Sequence, residues 1–305
     1  VKWSAAKFTF YDSTPSARPP VLLQIGFTTV RKYGMLTSDA FLLTDAQQDP
    51  FERDGFCVVP DLYTAAEIAE IEAFFEDYKR NGLSVYDGNM RFEDMDKTKQ
   101  QIRAMHPHRY SEKAKAWALN ARVVACLAVL LERSPLLAQT MYYFKPPGTR
   151  WRGMHQNNSY QLAKPATCMA AWTAIHAATV ENGCLQVVPG SHRDEIHCPS
   201  SDTGSWQSYG DSHIRPFPLE KEPVPLAVPR GATVFFRGQP IHGSGPNRSA
   251  TDSRRTFISH YVDEAVGQVA EFFQPLLCAD GDVVTGIGSP EGGGPYGDGW
   301  RGAEH

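Results

Sequence analysis

The sequence predicts a mainly β domain with flanking helices, built as a jelly roll, and three observations predict it. From Thr140 onward, short β-rich runs alternate with clusters of Gly, Pro, Asn and Asp, the signature of a sandwich or barrel. Ahead of them lie two stretches with apolar residues at helical spacing. Finally, His155 and His242 look like partners in one site yet lie on opposite sides of much of the β region. A jelly roll brings such distant strands side by side.

In chain order, residues 1–48 carry little pattern beyond Val21-Leu22-Leu23-Gln24-Ile25 and read as an extension that packs along the domain. A single domain then spans 49–285. Phe51 to Pro60 reads as a turn and a short strand. Thr64 and Glu67 form a capping-box signature, and behind them Ile68, Ile71, Phe74, Phe75 and Tyr78 recur at helical spacing to about Lys79. A second helix is expected from Ser111 to about Arg133. The polar segment between them, 81–109, reads as loop, with Arg103, His106 and His108 as loop polar groups. The expected strands are Met141–Phe144, Cys168–Ile175, Cys184–Val188, Pro225–Val228, Thr233–Phe236 and Arg255–Val262. A polar insertion at 197–219 is placed near the mouth of the site, and a Gly-rich tail, 286–305, is expected to be loosely ordered.

Composition narrows the function classes. The chain has 305 residues and a formal net charge of −4, with no basic stripe, which argues against a nucleic-acid surface. No apolar run approaches the roughly 20 residues of a membrane helix, and no leader pattern opens the chain. Its 6 cysteines lack C-x-x-C pairs and read as buried, reduced thiols of a cytoplasmic protein.

The chemistry concentrates in Met154-His155-Gln156-Asn157-Asn158-Ser159-Tyr160. On a strand, His155 and Asn157 point the same way, and with His242 they could grip one metal ion. The pattern approaches the two-His-one-carboxylate set that leaves positions open on ferrous iron, with Asn157 where the carboxylate would be.

These residues resemble the phytanoyl-CoA dioxygenase family of iron(II)- and 2-oxoglutarate-dependent oxygenases. Five pieces carry the resemblance in order: Asp54-Gly55-Phe56, Phe144-Lys145-Pro146-Pro147-Gly148, His155-Gln156-Asn157, the run from Glu181 to His192, and His242-Gly243-Ser244-Gly245-Pro246-Asn247 with Arg254 beyond. The resemblance implies a double-stranded β-helix that uses iron(II), 2-oxoglutarate and dioxygen on a small-molecule substrate. The reaction would be hydroxylation, desaturation, cyclisation or epoxidation. It places metal ligands at His155 and His242, with residue 157 normally Asp. Arg254 matches the residue that holds the far carboxylate of 2-oxoglutarate, a task suited to a guanidinium fork. Ser244, Trp172 and Met141 match positions lining that pocket, while His192 matches a structural position. Tyr160 and His176 are candidates to face substrate, and Arg254 and Arg255 compete for the inward position.

Asn157 leaves three readings open. It coordinates through its oxygen in an active enzyme; it weakens iron binding and turnover; or it does not ligate and leaves room for another ligand such as a halide. From other classes come a non-catalytic binding protein on the same fold and a metal-dependent isomerase or lyase.

Overall fold

The structure, a computed structural model, describes residues 43–84, 89–96, 102–196 and 222–293. The 197–219 insertion and nearly all of the N-terminal extension lie outside them.

The helical layer comes first. Helix α1 (Asp45–Asp54) starts at a Thr44–Gln47 capping box and ends on Gly55 at φ +87. No helical pattern marks this stretch, because α1 has only Phe51 buried and carries Pro50; its caps define it. Strand β1 (Phe56–Val59) follows, then α2 (Ala65–Asn81), whose Thr64–Glu67 box forms as expected. Its buried face, Ile68, Ile71 and Phe75, packs on the outer side of the main sheet, where Phe75 stacks on Tyr142 at 4.0 Å between centroids. Burying an aromatic of this size contributes up to ~3 kcal/mol.

Two corrections apply before the β region. The 81–109 segment contains a small hairpin, β2 (Leu83–Ser84) and β3 (Met90–Arg91), and a buried strand, β4 (Arg103–Met105). The expected single helix from Ser111 is two, α3 (Glu112–Ala118) and α4 (Ala121–Leu131), bent by 42°. The break falls at Asn120, whose side chain caps the Arg122 N–H and starts a new helix.

Fourteen strands are present among the described residues. The remaining ten are β5 (Pro135–Lys145), β6 (Arg152–His155), β7 (Met169–Ala174), β8 (Leu185–Val187), β9 (Val224–Leu226), β10 (Thr233–Arg237), β11 (His242–Ser244), β12 (Arg254–Asp263), β13 (Leu276–Leu277) and β14 (Val283–Val284). A short helix, α5 (Asn158–Gln161), follows β6. The main sheet runs β1-β10-β7-β12-β5-β13-β14, with β4 also on β5; the facing sheet runs β6-β11-β8-β9. All pairings between these strands are antiparallel, and the two sheets close a jelly roll. One apolar cluster, including Trp172, Val187, Val234 and Ile258, fills the space between the sheets. β5 begins six residues before the expected Met141, because Pro135 to Thr140 is a wholly buried run without alternation.

The described part of the tail is not loose: Gly288 donates to Gly267 O and accepts from Val269 N. Five cysteines are described and all are free; Cys57, Cys126, Cys168 and Cys184 are buried. No single helix among the described residues is long and apolar enough to cross a membrane.

The Glu-Asn-Gly and Pro-Gly-Ser-His pieces are turns and packing. Gly183 sits at φ +81, and a Cβ there would collide with the Gly245 carbonyl and Pro246. Gly183→Ala is therefore expected to cost about 2 kcal/mol, from the left-handed backbone and the collision together. Urea denaturation would register it as a lower midpoint. His192 packs against Gly55, tying that glycine turn to the second half of the chain.

Candidate metal centre

β6 and β11 are neighbours in the smaller sheet, and their register pairs His155 directly with His242. Their ring centroids lie 4.3 Å apart, so the two imidazoles, 87 positions apart in sequence, share one spot. Both are anchored alike. His155 Nδ1 lies 2.7 Å from Gly153 O and His242 Nδ1 lies 2.8 Å from Pro240 O. A carbonyl only accepts, so Nδ1 carries the proton in each ring and the lone pair falls on Nε2. This orients two neutral nitrogen donors as a metal requires. Burial pulls both histidines below their ordinary range, His242 to about 4.

Asn157 lines the same cavity, though not by strand alternation. β6 ends at His155, and Asn157 has helical dihedrals at the start of α5, so the chain turns it inward. Its Nδ2 is buried without a hydrogen-bond partner. The donor set is two imidazole nitrogens and one neutral amide oxygen. These donor types suit a divalent ion, and they fall one negative charge short of the usual ferrous set. No group of three or more His, Cys, Asp or Glu suited to a metal occurs among the described residues.

Arg254 opens β12 and lines the cavity, 5.4 Å from the Trp172 ring centroid. Burial pulls its pKa down to about 10, which leaves it charged at neutral pH. Arg255 faces the other way, to Glu76 of α2, which resolves the competition between them. Ser244, Trp172, Met141 and Tyr160 all line the same cavity, and Tyr160 meets His155 edge-on at 5.6 Å. Behind Ser244, the fully buried Lys145 donates from Nζ to Ser244 Oγ at 3.0 Å and to Gly245 O.

His176 is a correction. It lies past the end of β7 and bonds Glu72 Oε1 at 2.7 Å and Ser253 O at 2.6 Å, and it is not part of the cavity wall. Other wall residues escaped the sequence reading: Arg103, Gln139, Tyr143, Arg152, Gln161 and His260. Gln139, Met141 and Tyr143 keep a period of two on β5, as do Ile258 and His260 with Arg254 on β12, so alternation extended along the strand would have found them. Nothing in the polar run around Arg103 signalled a strand.

Five histidines, His106, His108, His155, His242 and His260, are buried with pKa values below the ordinary 6.5, His108 and His260 near 3. The unfolded chain therefore binds protons that the folded chain refuses. Metal-free protein should lose stability as pH falls from about 6.5 toward 4, each imidazole adding up to ~1.4 kcal/mol per pH unit. Urea midpoints at pH 7 and pH 5 check this; equal midpoints would refute it.

Comparison with known proteins identifies the lineage. The phytanoyl-CoA dioxygenase (PhyH) family model matches residues 51–256. The chain belongs to that family. It is 34% identical over 162 residues to Phytanoyl-CoA dioxygenase 1 of Oryza sativa subsp. japonica, an alignment covering 49% of this chain and 52% of that protein. It is 26% identical over 270 residues to the peroxisomal phytanoyl-CoA dioxygenase of Homo sapiens, covering 78% and 79%. Against the first of these relatives, then, the chain aligns with about half the length. Among solved structures, the epimerase SnoN in complex with Fe3+, alpha ketoglutarate and nogalamycin RO superposes with a TM-score of 0.58 at 21% identity, covering 84% of this chain and 94% of that one. EctD from S. alaskensis with 2-oxoglutarate and 5-hydroxyectoine gives 0.58 at 20%, covering 75% and 78%. At these identities the likeness to the solved structures is one of fold.

Proposed function

We propose that this PhyH-family chain is an iron(II)- and 2-oxoglutarate-dependent oxygenase acting on a small molecule. The observation that carries the reading is the paired His155 and His242, each with Nδ1 tied to a backbone carbonyl and Nε2 left to donate, in one cavity with Arg254. His155, His242 and the amide oxygen of Asn157 would hold the iron. Arg254, with Ser244, Trp172 and Met141 beside it, would hold the keto acid, its guanidinium taking the distal carboxylate through two parallel hydrogen bonds. When bound, iron with 2-oxoglutarate and dioxygen oxidises a substrate C–H bond, one oxygen atom going to product and the other to succinate as carbon dioxide leaves. The chain's part is to fix the orientation of both small molecules and to keep bulk water from the reacting carbon.

Asn157 supports a second statement, that iron is held weakly. A carboxylate offsets part of the ion's charge and a carboxamide does not. With ferrous iron, 2-oxoglutarate and oxygen, the chain should release succinate slowly, and Asn157→Asp should raise the rate at subsaturating iron at least tenfold. Succinate from neither protein, at saturating iron, would favour a binding protein on an oxygenase fold.

A further inference from the structure

The strand register sorts the cavity wall by charge. At one end, Arg254 stands beside Lys145, and Arg103 pairs with Tyr143 opposite Thr256. Arg152 lies opposite Ser244, at the same end of the smaller sheet. A collar of apolar side chains follows, with Ile258 opposite both Met141 and Trp172, and Met105 beyond Met141. One step further, His260 stands directly opposite Gln139 and, on its other side, Ala170. Side chains of such cross-strand pairs sit roughly 5 Å apart at Cβ. Six residues of strand separate His260 from Arg254, roughly 20 Å at the rise of a β-strand.

This far end is polar and carries no formal charge. His260 is 5% exposed, Gln139 4% and Gln161 2%, and all three line the cavity. Burial holds the His260 ring neutral, with one nitrogen donating and one accepting. His260 Nδ1 and Gln161 Oε1 are buried with no hydrogen-bond partner among the described residues. Unsatisfied groups of this kind cost about 1–3 kcal/mol each, so such a set points to an occupant. Neither the paired histidines nor the cationic end makes use of them.

We propose that His260 and Gln139, with Gln161 on the same cavity wall, form a subsite for an uncharged oxygen function of the substrate, a carbonyl or a hydroxyl. A neutral ring and two carboxamides offer both donors and acceptors, which suits such an oxygen and gives an anion no counter-charge. Within the collar, Ile258 and Met105 then take the hydrocarbon body next to this oxygen, while Met141 and Trp172 are left to the keto acid. The substrate class is a largely apolar oxygenated molecule, presented with its polar group at His260. This assignment rests on the cavity being the substrate chamber of an oxygenase.

The probes are cyclohexanone, cyclohexanol, cyclohexanecarboxylate and cyclohexene, titrated into the full chain and followed by saturation-transfer NMR with and without saturating 2-oxoglutarate. The ketone and alcohol should bind at least fivefold more tightly than cyclohexene, and more tightly than the carboxylate once 2-oxoglutarate is present. His260→Phe should bring the ketone-to-cyclohexene ratio within twofold of unity, while His260→Gln keeps the preference. Gln139→Leu serves the same purpose should His260→Phe not fold, as judged by circular dichroism. Equal binding of ketone and cyclohexene to the unmodified chain would overturn the proposal, the orphaned groups then being satisfied by water. So would a preference that survives both His260→Phe and Gln139→Leu, or tighter binding of the carboxylate over 2-oxoglutarate. Failure of the oxygenase reading would show separately, as absence of succinate at saturating iron, and leaves the probe ratios readable.

Discussion

Replacing His242 with Ala is expected to weaken ferrous binding by at least about 100-fold, or ~2.8 kcal/mol, and to bring succinate release to background. The reason lies in the donor set. With Asn157 in place of a carboxylate, the two imidazoles of the proposed site would supply nearly all the affinity, so losing one would leave a single nitrogen and a neutral amide. The backbone ladder between β11 and β6 does not use the imidazole, so the fold should persist. Calorimetric titration with ferrous iron under anaerobic conditions, alongside circular dichroism, separates lost metal from lost structure. A variant that folds and still binds iron at the parent affinity would show that the imidazole pair is not the metal site.

Arg254→Gln should raise the concentration of 2-oxoglutarate needed for half-maximal succinate release by ~10- to 100-fold. Charged hydrogen bonds of this type contribute about 1.5–3 kcal/mol. Ferrous affinity should stay unchanged, because Arg254 is not among the residues that would hold the ion. Arg255→Gln is the matched control. Its side chain bonds Glu76 on the outer face of the sheet, so it should lower the unfolding midpoint and leave keto-acid dependence alone. The reverse outcome, with Arg255 controlling keto-acid dependence, would overturn the assignment.

How far the sequence spoke for itself depended on whether a feature was periodic. α2 was legible because its cap and its apolar face agree, and β7, β10 and β12 because β-branched and aromatic residues end in clear turns. His155 and His242 were legible as a pair only through the resemblance, since register between strands 87 positions apart follows from topology. Asn157 reached the cavity by a route alternation did not foresee, a strand end turning into a helix. α1 and the break between α3 and α4 were hidden because capping side chains, Thr44 and Asn120, decide them while the surrounding pattern stays neutral. His260 and Gln139 were overlooked for a different reason. Each follows by alternation from a residue already placed inward, Met141 or Arg254, but neither position belongs to the pieces that carry the resemblance. His176 sits two residues beyond the end of the Trp172 strand, where inward and outward no longer alternate.

The two consecutive arginines of β12 have a consequence for the protein's mechanics. One guanidinium enters the cavity and the next leaves through the back of the same sheet to grip α2 at Glu76. They act as a rivet through a plate, fastening the outer helix to the strand that carries Arg254.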